Sequence, residues 1–485
     1  MPLTPFPITG GFYVSRSLPI SAQQCSNYYV HVNQGGGLTD EALYGTPGSA
    51  QLATSGIDQQ VNRGSHVKSG IPYFVNGDKL YRLNQTISGL GVETFDLESL
   101  GTIEGSGRVS MADNGAQLCI LVPGGKGYIF NEDAAPQFQE ITDSDFRANG
   151  DPQHVVFIDG FFLFTTDTKK FIVSALNDGL NYNALDFGSA EADPDAIVAP
   201  IVSNNQLYIC GTETIEVFRN QGGTGFPFIR IEGGGIGTGV NSAFSLAQLS
   251  DPFFFIGGSA NDEPSVYVFT GSGVSIISTD GIDLLLGELT EAQLSNVFAW
   301  SYSQDGSRFV GWTLPSTTIV FDTVSQRWHE RKSFDIIDDV ANQFRWRANS
   351  VVKGYGRILV GDSLDGRVGE INLDTFDEYG QNIIRLFSTI PFSNLGDSIS
   401  VPRLELTIES GVGNSTDPDP KISMDWSKDG KKFSNKSTRS MGRVGESTHR
   451  SIWRRRGRFP RMAVFRFTTS DKVKPVVIKL EAKVL

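Results

Sequence analysis

Turn-linked pairs of β-rich segments recur along most of this 485-residue chain, and their spacing constrains the fold more than any other feature. The clearest pairs are YFVNGDKLYRL (73 to 83), VSMADNGAQLCILV (109 to 122), VVFIDGFFLFTTDTKKFIV (155 to 173) and IVSNNQLYICGTETIEVF (201 to 218). Three more follow, around FSLAQLSDPFFFIGG (244 to 258), AWSYSQDGSRFVGWTL (299 to 314) and SVVKGYGRILVGDSLDGRVGEINL (350 to 373). Asn-Gly and Asp-Gly suit the two-residue turns whose twist matches that of paired strands. With Asn76, Asn114, Asp159, Asn204, Ser250, Asp305 and Tyr355 as turn markers, the spacings are 38, 45, 45, 46, 55 and 50. A period in the forties, with about four strands per unit, is that of propeller blades, each of which buries its faces against its neighbours. The expectation is an all-β chain with a propeller of six to eight blades, seven favoured, over 70–380.

Composition agrees: 54 glycines and 33 phenylalanines stand against 5 methionines and 5 histidines, which favours tight turns and aromatic-packed strands. The widest interval holds a capping box, Thr290 to Gln293, at the head of LTEAQLSNVFA, which predicts a short inserted helix. After about Gly380 the period is lost. The segments IIRLFSTIPF, RLELTIES, KISMDWSKDGKKFS, MAVFRFTTS and KPVVIKLEAKVL predict a separate β-sandwich over 381–485. Residues 1–69 read as an arm or as part of the ring closure.

Charge divides the chain. From Lys421 onward eighteen Lys and Arg face five Asp and Glu, a net of +13 that leaves the first 420 residues at −26 of the total −13. Such asymmetry predicts different partners for the two ends, or contact between them across a subunit boundary. The first residues carry two early prolines and no apolar core of a secretory signal, and no run approaches the ~18 apolar residues of a membrane span. Synthesis in a cytoplasm and no membrane span are therefore expected.

Chemical motifs are sparse. GGGIGTG (233 to 239) lacks the Lys-Ser/Thr pair of a phosphate loop and is not followed by a helix pattern, so it reads as an inter-blade connection. SQDGSRF (303 to 309) and SKDGKKF (427 to 433) resemble the Asp-Gly boxes of sugar-processing propellers, but their physical content is a closed turn. His31, His66, His154, His329 and His449 are scattered, and Cys25, Cys119 and Cys210 have no partner at ligand spacing, so no metal, cofactor or disulfide is expected. No GxSxG elbow occurs, and the chain is expected not to be an enzyme.

The strongest local signal is RSIWRRRGRFPR, which puts Arg450, Arg454, Arg455, Arg456, Arg458 and Arg461 within twelve residues. If extended, it places Arg454, Arg456 and Arg458 on one face and Trp453, Arg455 and Phe459 on the other. Arginine bonds carboxylate or phosphate in pairs, so the strip is a candidate interface with an acidic protein face or nucleic acid. The alternative is a solvated strand that resists edge pairing.

GSGRVSMADNG (105 to 115), the 231 to 258 segment, PSVYVF (264 to 269), RSIWRRRGRFPRMAVFRF (450 to 467), and CSNYYVHVN with ALYGTPG (25 to 33 and 42 to 48) carry a resemblance over nearly the whole chain. The sequence resembles the packaged-DNA stabilisation proteins, or tail hubs, of short-tailed bacteriophages. That resemblance implies a virion protein in a homo-oligomeric ring, six copies in the well-known relatives, that extends the portal and adaptor channel and helps retain genomic DNA. It further implies an adaptor ring, a tail needle, and tailspikes or tail fibres as partners, and DNA passing non-specifically. A different class, a propeller that binds or cleaves host-surface glycan, requires paired carboxylates and aromatic platforms in a central pocket.

Overall fold

A computed structural model describes residues 3–58, 60–191, 195–223, 225–259, 261–271, 273–337, 340–393 and 397–485. Among the described residues the turn-linked segments form seven consecutive antiparallel units. The first comprises Asn62–Lys68, Ile71–Asn76, Lys79–Ile87 and Glu93–Thr102; the third comprises Pro152–Ile158, Phe161–Thr166, Lys170–Ala175 and Asp178–Ser189. Successive units touch around the set, mostly through their first strands and between the fourth and fifth through Gln206–Gly211 and Gly239–Val240, and Ala348–Gly354 of the seventh returns to Asn62–Lys68 of the first, so the ring is closed.

Side-chain alternation explains why the units stack. In Phe161–Thr166, Phe162 and Phe164 pack with Cys119, Leu121 and Ile129 of the second unit, while Leu163 points the other way onto Leu207 and Ile209 of the fourth. The next strand repeats the logic, with Tyr208 and Cys210 facing Phe253 and Phe255 of the fifth. Both faces of these central strands are thus apolar, as period-two geometry requires of strands covered on two sides. Cys119 and Cys210 behave as small core residues.

Six of the seven turn markers lie between the first and second strands of their units, and several hold positive φ: Asp159 (50°), Asn204 (48°), Ser250 (61°), Asp305 (49°) and Tyr355 (52°). The first marker belongs elsewhere. Asn76 closes the second-to-third turn, and the equivalent of the other six is Ser69 (φ 52°), which restores a 45-residue spacing to Asn114. Asn-Gly drew attention to the wrong turn because Ser-Gly is a weaker sequence signal for the same backbone. In the widest interval the capping box is present, with Thr290 and Gln293 bonding reciprocally, but its helix is one turn, Glu291–Leu294. A longer helix, Asp280–Gly287, precedes it and was not read from the sequence. GGGIGTG is a connection between the fourth and fifth units. A Cβ on Gly239 would sit 2.1 Å from the carbonyl carbon of Thr212, so close backbone approach accounts for that glycine.

The seventh unit takes its fourth strand from the other end of the chain. Gly48–Asp58 pairs antiparallel with Asp365–Asn372. Side chains also link the first strands of the seventh and first units, with Ser350 Oγ donating to Asn62 Oδ1 (2.7 Å) and Asn349 Nδ2 to the Asn62 carbonyl (2.8 Å).

Residues before Gly48 serve the second module. One of its sheets runs Ser451–Arg454, Arg403–Ile408, Val476–Lys483, Glu41–Gly45 and Tyr28–Val32, with Thr4–Phe6 also on Val476–Lys483. The other contains Arg385–Ser388, Met462–Thr469, Lys421–Ser427 and Ser437–Ser440. Cys25–Ser26 joins that second sheet to the propeller: Cys25 and Ser26 pair antiparallel with Phe387 and Leu386, and Ser26 pairs parallel with Glu330 of the sixth unit. Asn27 rivets the seam. Its Nδ2 donates to the carbonyls of Lys332 (2.8 Å) and Ile384 (2.9 Å), and its Oδ1 accepts from Lys332 N–H (2.9 Å). Its φ of 55° also suits asparagine better than most residues.

Two predictions follow from these joints. Asn27→Ala strands buried polar groups on both modules, and should lower the unfolding free energy by about 2–4 kcal/mol, read from denaturant midpoints. The second concerns pH. His154 lies edge-on to Phe244 with centroids 4.7 Å apart, and burial pushes its pKa down to about 4. His329 is pushed well down, first by burial and then by Arg331. An unfolded histidine titrates near ~6.5. As pH falls from that value toward 4, the unfolded chain therefore binds protons that the folded chain refuses, and stability drops. The expected slope is at most about 1.4 kcal/mol per pH unit for each histidine, and His154→Gln should flatten it.

Candidate assembly surface

The arginine-rich segment is built on the first sheet of the sandwich. Ser451–Arg454 pairs with Arg403–Leu406, which in turn pairs with Val476–Lys483. Alternation turns Trp453 and Leu404 inward; Trp453 is fully buried, and its Nε1 donates to the Ser437 carbonyl (2.8 Å). The same alternation turns Arg454 outward. Register then sets Arg454, Arg403 and Lys483 abreast on three adjacent strands. Like charges directly opposite repel, so this row costs stability unless an anion answers it.

The extended-strip expectation fails at its middle. Arg455 (φ 54°) and Gly457 (φ 104°) reverse the chain, which resumes as the short strand Arg458–Phe459 against Ile399–Ser400. The bend is held by backbone bonds from Arg455 N–H to the Pro402 carbonyl (2.9 Å) and from Arg456 N–H to the Val401 carbonyl (3.0 Å). A glycine immediately after the run Arg454 to Arg456 permits that reversal, whereas period two assumes none. The segment is a bent ribbon crossing the edge of the sandwich from one sheet to the other. Trp453 and Phe459 are its buried pegs, the latter set edge-on to Trp426 with centroids 5.1 Å apart.

The six arginines differ in what they touch. Arg450 bonds Glu405 through Nε (2.6 Å) and Nη2 (2.5 Å), and the same buried carboxylate also holds Arg403. Arg458 Nε donates to Ser398 Oγ (2.7 Å), and half-buried Arg456 donates to the Arg454 carbonyl (2.9 Å). Burial and then the neighbouring Arg439 push the Arg456 pKa down. Arg454, Arg455, Arg458 and Arg461 are exposed, and among the described residues only Arg450 of the six has a carboxylate within 4.0 Å. Arg403 and Lys483 were missed from the sequence, since strand register alone brings them beside Arg454.

The Asp-Gly boxes are turns. Asp305 and Gly306 both hold positive φ, and Asp429 accepts N–H bonds from Lys431 (2.8 Å) and Lys432 (2.9 Å). At the starts of the propeller's inner strands, Arg108 stacks 3.6 Å over the Phe298 ring and donates to the Asn349 carbonyl (2.5 Å), while Arg345 donates to Asn349 Oδ1 (2.9 Å). Two guanidinium groups converge on Asn349 there, whereas glycoside hydrolysis needs paired carboxylates facing a pocket. Among the described residues no group of three or more His, Cys, Asp and Glu could hold a metal ion, and no helix is long and apolar enough to cross a membrane.

Fold and surface together define a two-module structural β-protein, a propeller fused to a basic sandwich through shared N-terminal strands. Residues 4–376 match the family model described as the β-propeller of bacteriophage P22 Gp10, and residues 384–485 match the one described as its β-sandwich. The chain belongs to the P22 Gp10 family. A curated relative, the tail hub protein gp10 of Salmonella phage P22, is 23% identical over 426 residues, covering 84% of this chain and 85% of the relative. Among solved structures, the WD40 β-propeller domain of Doa1 aligns with a TM-score of 0.40 and 14% identity over 67% of this chain and 97% of that one. The computationally designed Ika8 protein aligns with a TM-score of 0.36 and 13% identity over 66% and 99%.

Glu405 should be the electrostatic anchor of this surface. Glu405→Gln leaves Arg403 and Arg450 without their carboxylate and should cost about 1–3 kcal/mol in denaturation experiments. Arg450→Ala, at a largely exposed side chain, should stay within about 0.5 kcal/mol of the parent.

Proposed function

We propose that this chain is a structural subunit of a phage tail hub, carried in the virion tail after synthesis in the host cytoplasm. The observation that carries this reading is the match of both modules, in order and over nearly the whole chain, to the propeller and sandwich of P22 Gp10. In this reading copies of the chain form a ring, six being the proposed number, that extends the portal and adaptor channel and helps retain packaged DNA. The ring carries the tail needle and the tailspikes or fibres. Residues 70–380 are read as the body of the propeller and 381–485 as the basic docking module, with 1–69 as an arm that closes the ring, Asn62–Lys68 being the first strand of its first unit and Gly48–Asp58 the last of its seventh.

The charge division supports an assembly role, because a chain of −26 followed by +13 is complementary to its own copies and to other two-signed partners. The arginine ribbon is the proposed interface, with a neighbouring subunit or the adaptor ring as the acidic face it meets. The acidic propeller is proposed to face the channel, so that DNA phosphates pass without adhering. A glycan-cleaving propeller is the weaker reading, given the arginines at the inner-strand ends.

Replacing Arg454, Arg456 and Arg458 together with Glu should block incorporation into particles, scored by electron microscopy of purified virions. Normal tails built from that variant would remove the ribbon from the interface. A density map of the intact tail tests the hub itself, and a tail without this chain would end the proposal. A basic lumen in that map would refute the sliding mechanism.

A further inference from the structure

We infer that a groove at the end of the arginine ribbon is a docking site for an acidic polypeptide segment that also carries apolar side chains. The inference deepens the assembly reading, on which its biological setting rests. The groove has a volume of ≈ 650 Å³. Lys428, Lys431 and Arg461 line it together with Pro19, Pro391 and Met462. Arg461 ends the ribbon, and the lysines come from the SKDGKKF turn on a neighbouring strand connection.

That turn is built to present cations. Asp429 also lines the groove, and its carboxylate is held in the turn through one oxygen: Oδ1 accepts N–H bonds from Lys431 and Lys432 and the Ser427 hydroxyl (2.9 Å). The bonds from Lys432 and Lys431 and then from Ser427 hold its pKa down to about 2, so the turn keeps its shape across the physiological range. Gly430 (φ 76°) seats the turn on Leu18 and Ala22, where an added Cβ would lie 3.2 and 3.4 Å from theirs. Lys428, Lys431 and Arg461 are all exposed, and among the described residues none of the three has a carboxylate within 4.0 Å. Three cations, one of them Lys428 with its Nζ 5.7 Å from the Trp426 ring centroid, thus outnumber the single carboxylate of Asp429 in a concave site that also holds three apolar side chains.

The apolar half decides the occupant. A phosphodiester backbone would gain from the cations but has little to set against two prolines and a methionine. An extended peptide with alternating carboxylate and apolar side chains uses both halves, with charge-assisted bonds to the rim and burial against the wall. The volume lies within the ~300–1,000 Å³ typical of pockets for small ligands, which suits a few residues of chain rather than a duplex.

The test uses the full-length protein and fluorescence anisotropy with three labelled probes: an alternating Glu-Leu octapeptide, its Gln-Leu counterpart, and a single-stranded DNA oligonucleotide. The Glu-Leu peptide should bind at low ionic strength, weaken with salt, and lose about tenfold or more in affinity in Lys428→Glu/Lys431→Glu/Arg461→Glu. The Gln-Leu peptide should bind at least about tenfold more weakly than the Glu-Leu peptide. Since the three side chains are exposed, unfolding is not expected; Lys428→Ala/Lys431→Ala, with a circular dichroism melt, separates loss of charge from loss of fold. Equal binding of both peptides, no binding of either, or insensitivity to the triple substitution overturns the inference. Tighter, substitution-sensitive binding of the oligonucleotide overturns it in favour of nucleic acid. Binding is read on isolated protein, so its failure is distinct from failure of the hub reading, which particle incorporation of the ribbon variant tests.

Discussion

Backbone pairing between Gly48–Asp58 and Asp365–Asn372 is the joint on which the propeller depends. Each unit buries its two faces only against its neighbours, so a ring with one open edge would expose apolar strand faces on both sides of the gap. Bringing strands more than three hundred residues apart together carries a loop-closure cost, but that cost grows only with the logarithm of length. The return is a closed core: Phe74 and Leu83 of the first unit pack with Leu359 and Val368 of the seventh, with Ala53 of the closing strand among them.

The same N-terminal segment explains why the two modules are one structure. Strands before Gly48 complete both sheets of the sandwich, Asn27 bonds the outer strand of the sixth unit to the approach to Arg385, and one hydrophobic cluster runs from Trp312 and Phe321 through Tyr28 and Phe387 to Trp453. Arg385 lies buried at this seam and donates to the carbonyls of Thr46 and Phe376 (3.2 Å each). Burial lowers its pKa to about 10, which still leaves the guanidinium charged at neutral pH. A propeller and a sandwich linked this way form a continuous body in which the basic surface has a set position relative to the ring.

That surface holds repulsion in reserve. Arg454, Arg403 and Lys483 stand in register, Glu405 answers Arg403 and Arg450, and the remaining ribbon arginines are without carboxylates among the described residues. An isolated protein gains nothing from such an arrangement, whereas a partner with negative charge relieves it on contact. Electrostatic complementarity of this kind chiefly sets register and encounter rate, which matter most where many copies must seat in order. The register of three strands brings these cations together.

Much of the architecture was legible because it rests on local physics. Period-two runs, Asn-Gly and Asp-Gly turns and a spacing in the forties report on neighbouring residues, and they marked the repeating strands, the helix cap at Thr290 and the loss of period after Gly380. The arginine cluster was equally visible, as composition always is. Ring closure by Gly48–Asp58, the sharing of Cys25–Ser26 between modules and the row of Arg454, Arg403 and Lys483 were not, because each depends on strands distant in sequence. Even the shape of the ribbon was decided in three dimensions. Period two would have kept it straight, but burying both Trp453 and Phe459 while crossing from one sheet to the other required the reversal at Arg455 and Gly457. The sequence by itself determined a repeating β-chain with opposite charges at its two ends; tertiary pairing decided where the ring closes and which cations face solvent together, since hydrogen-bond register is a property of two strands and not of one.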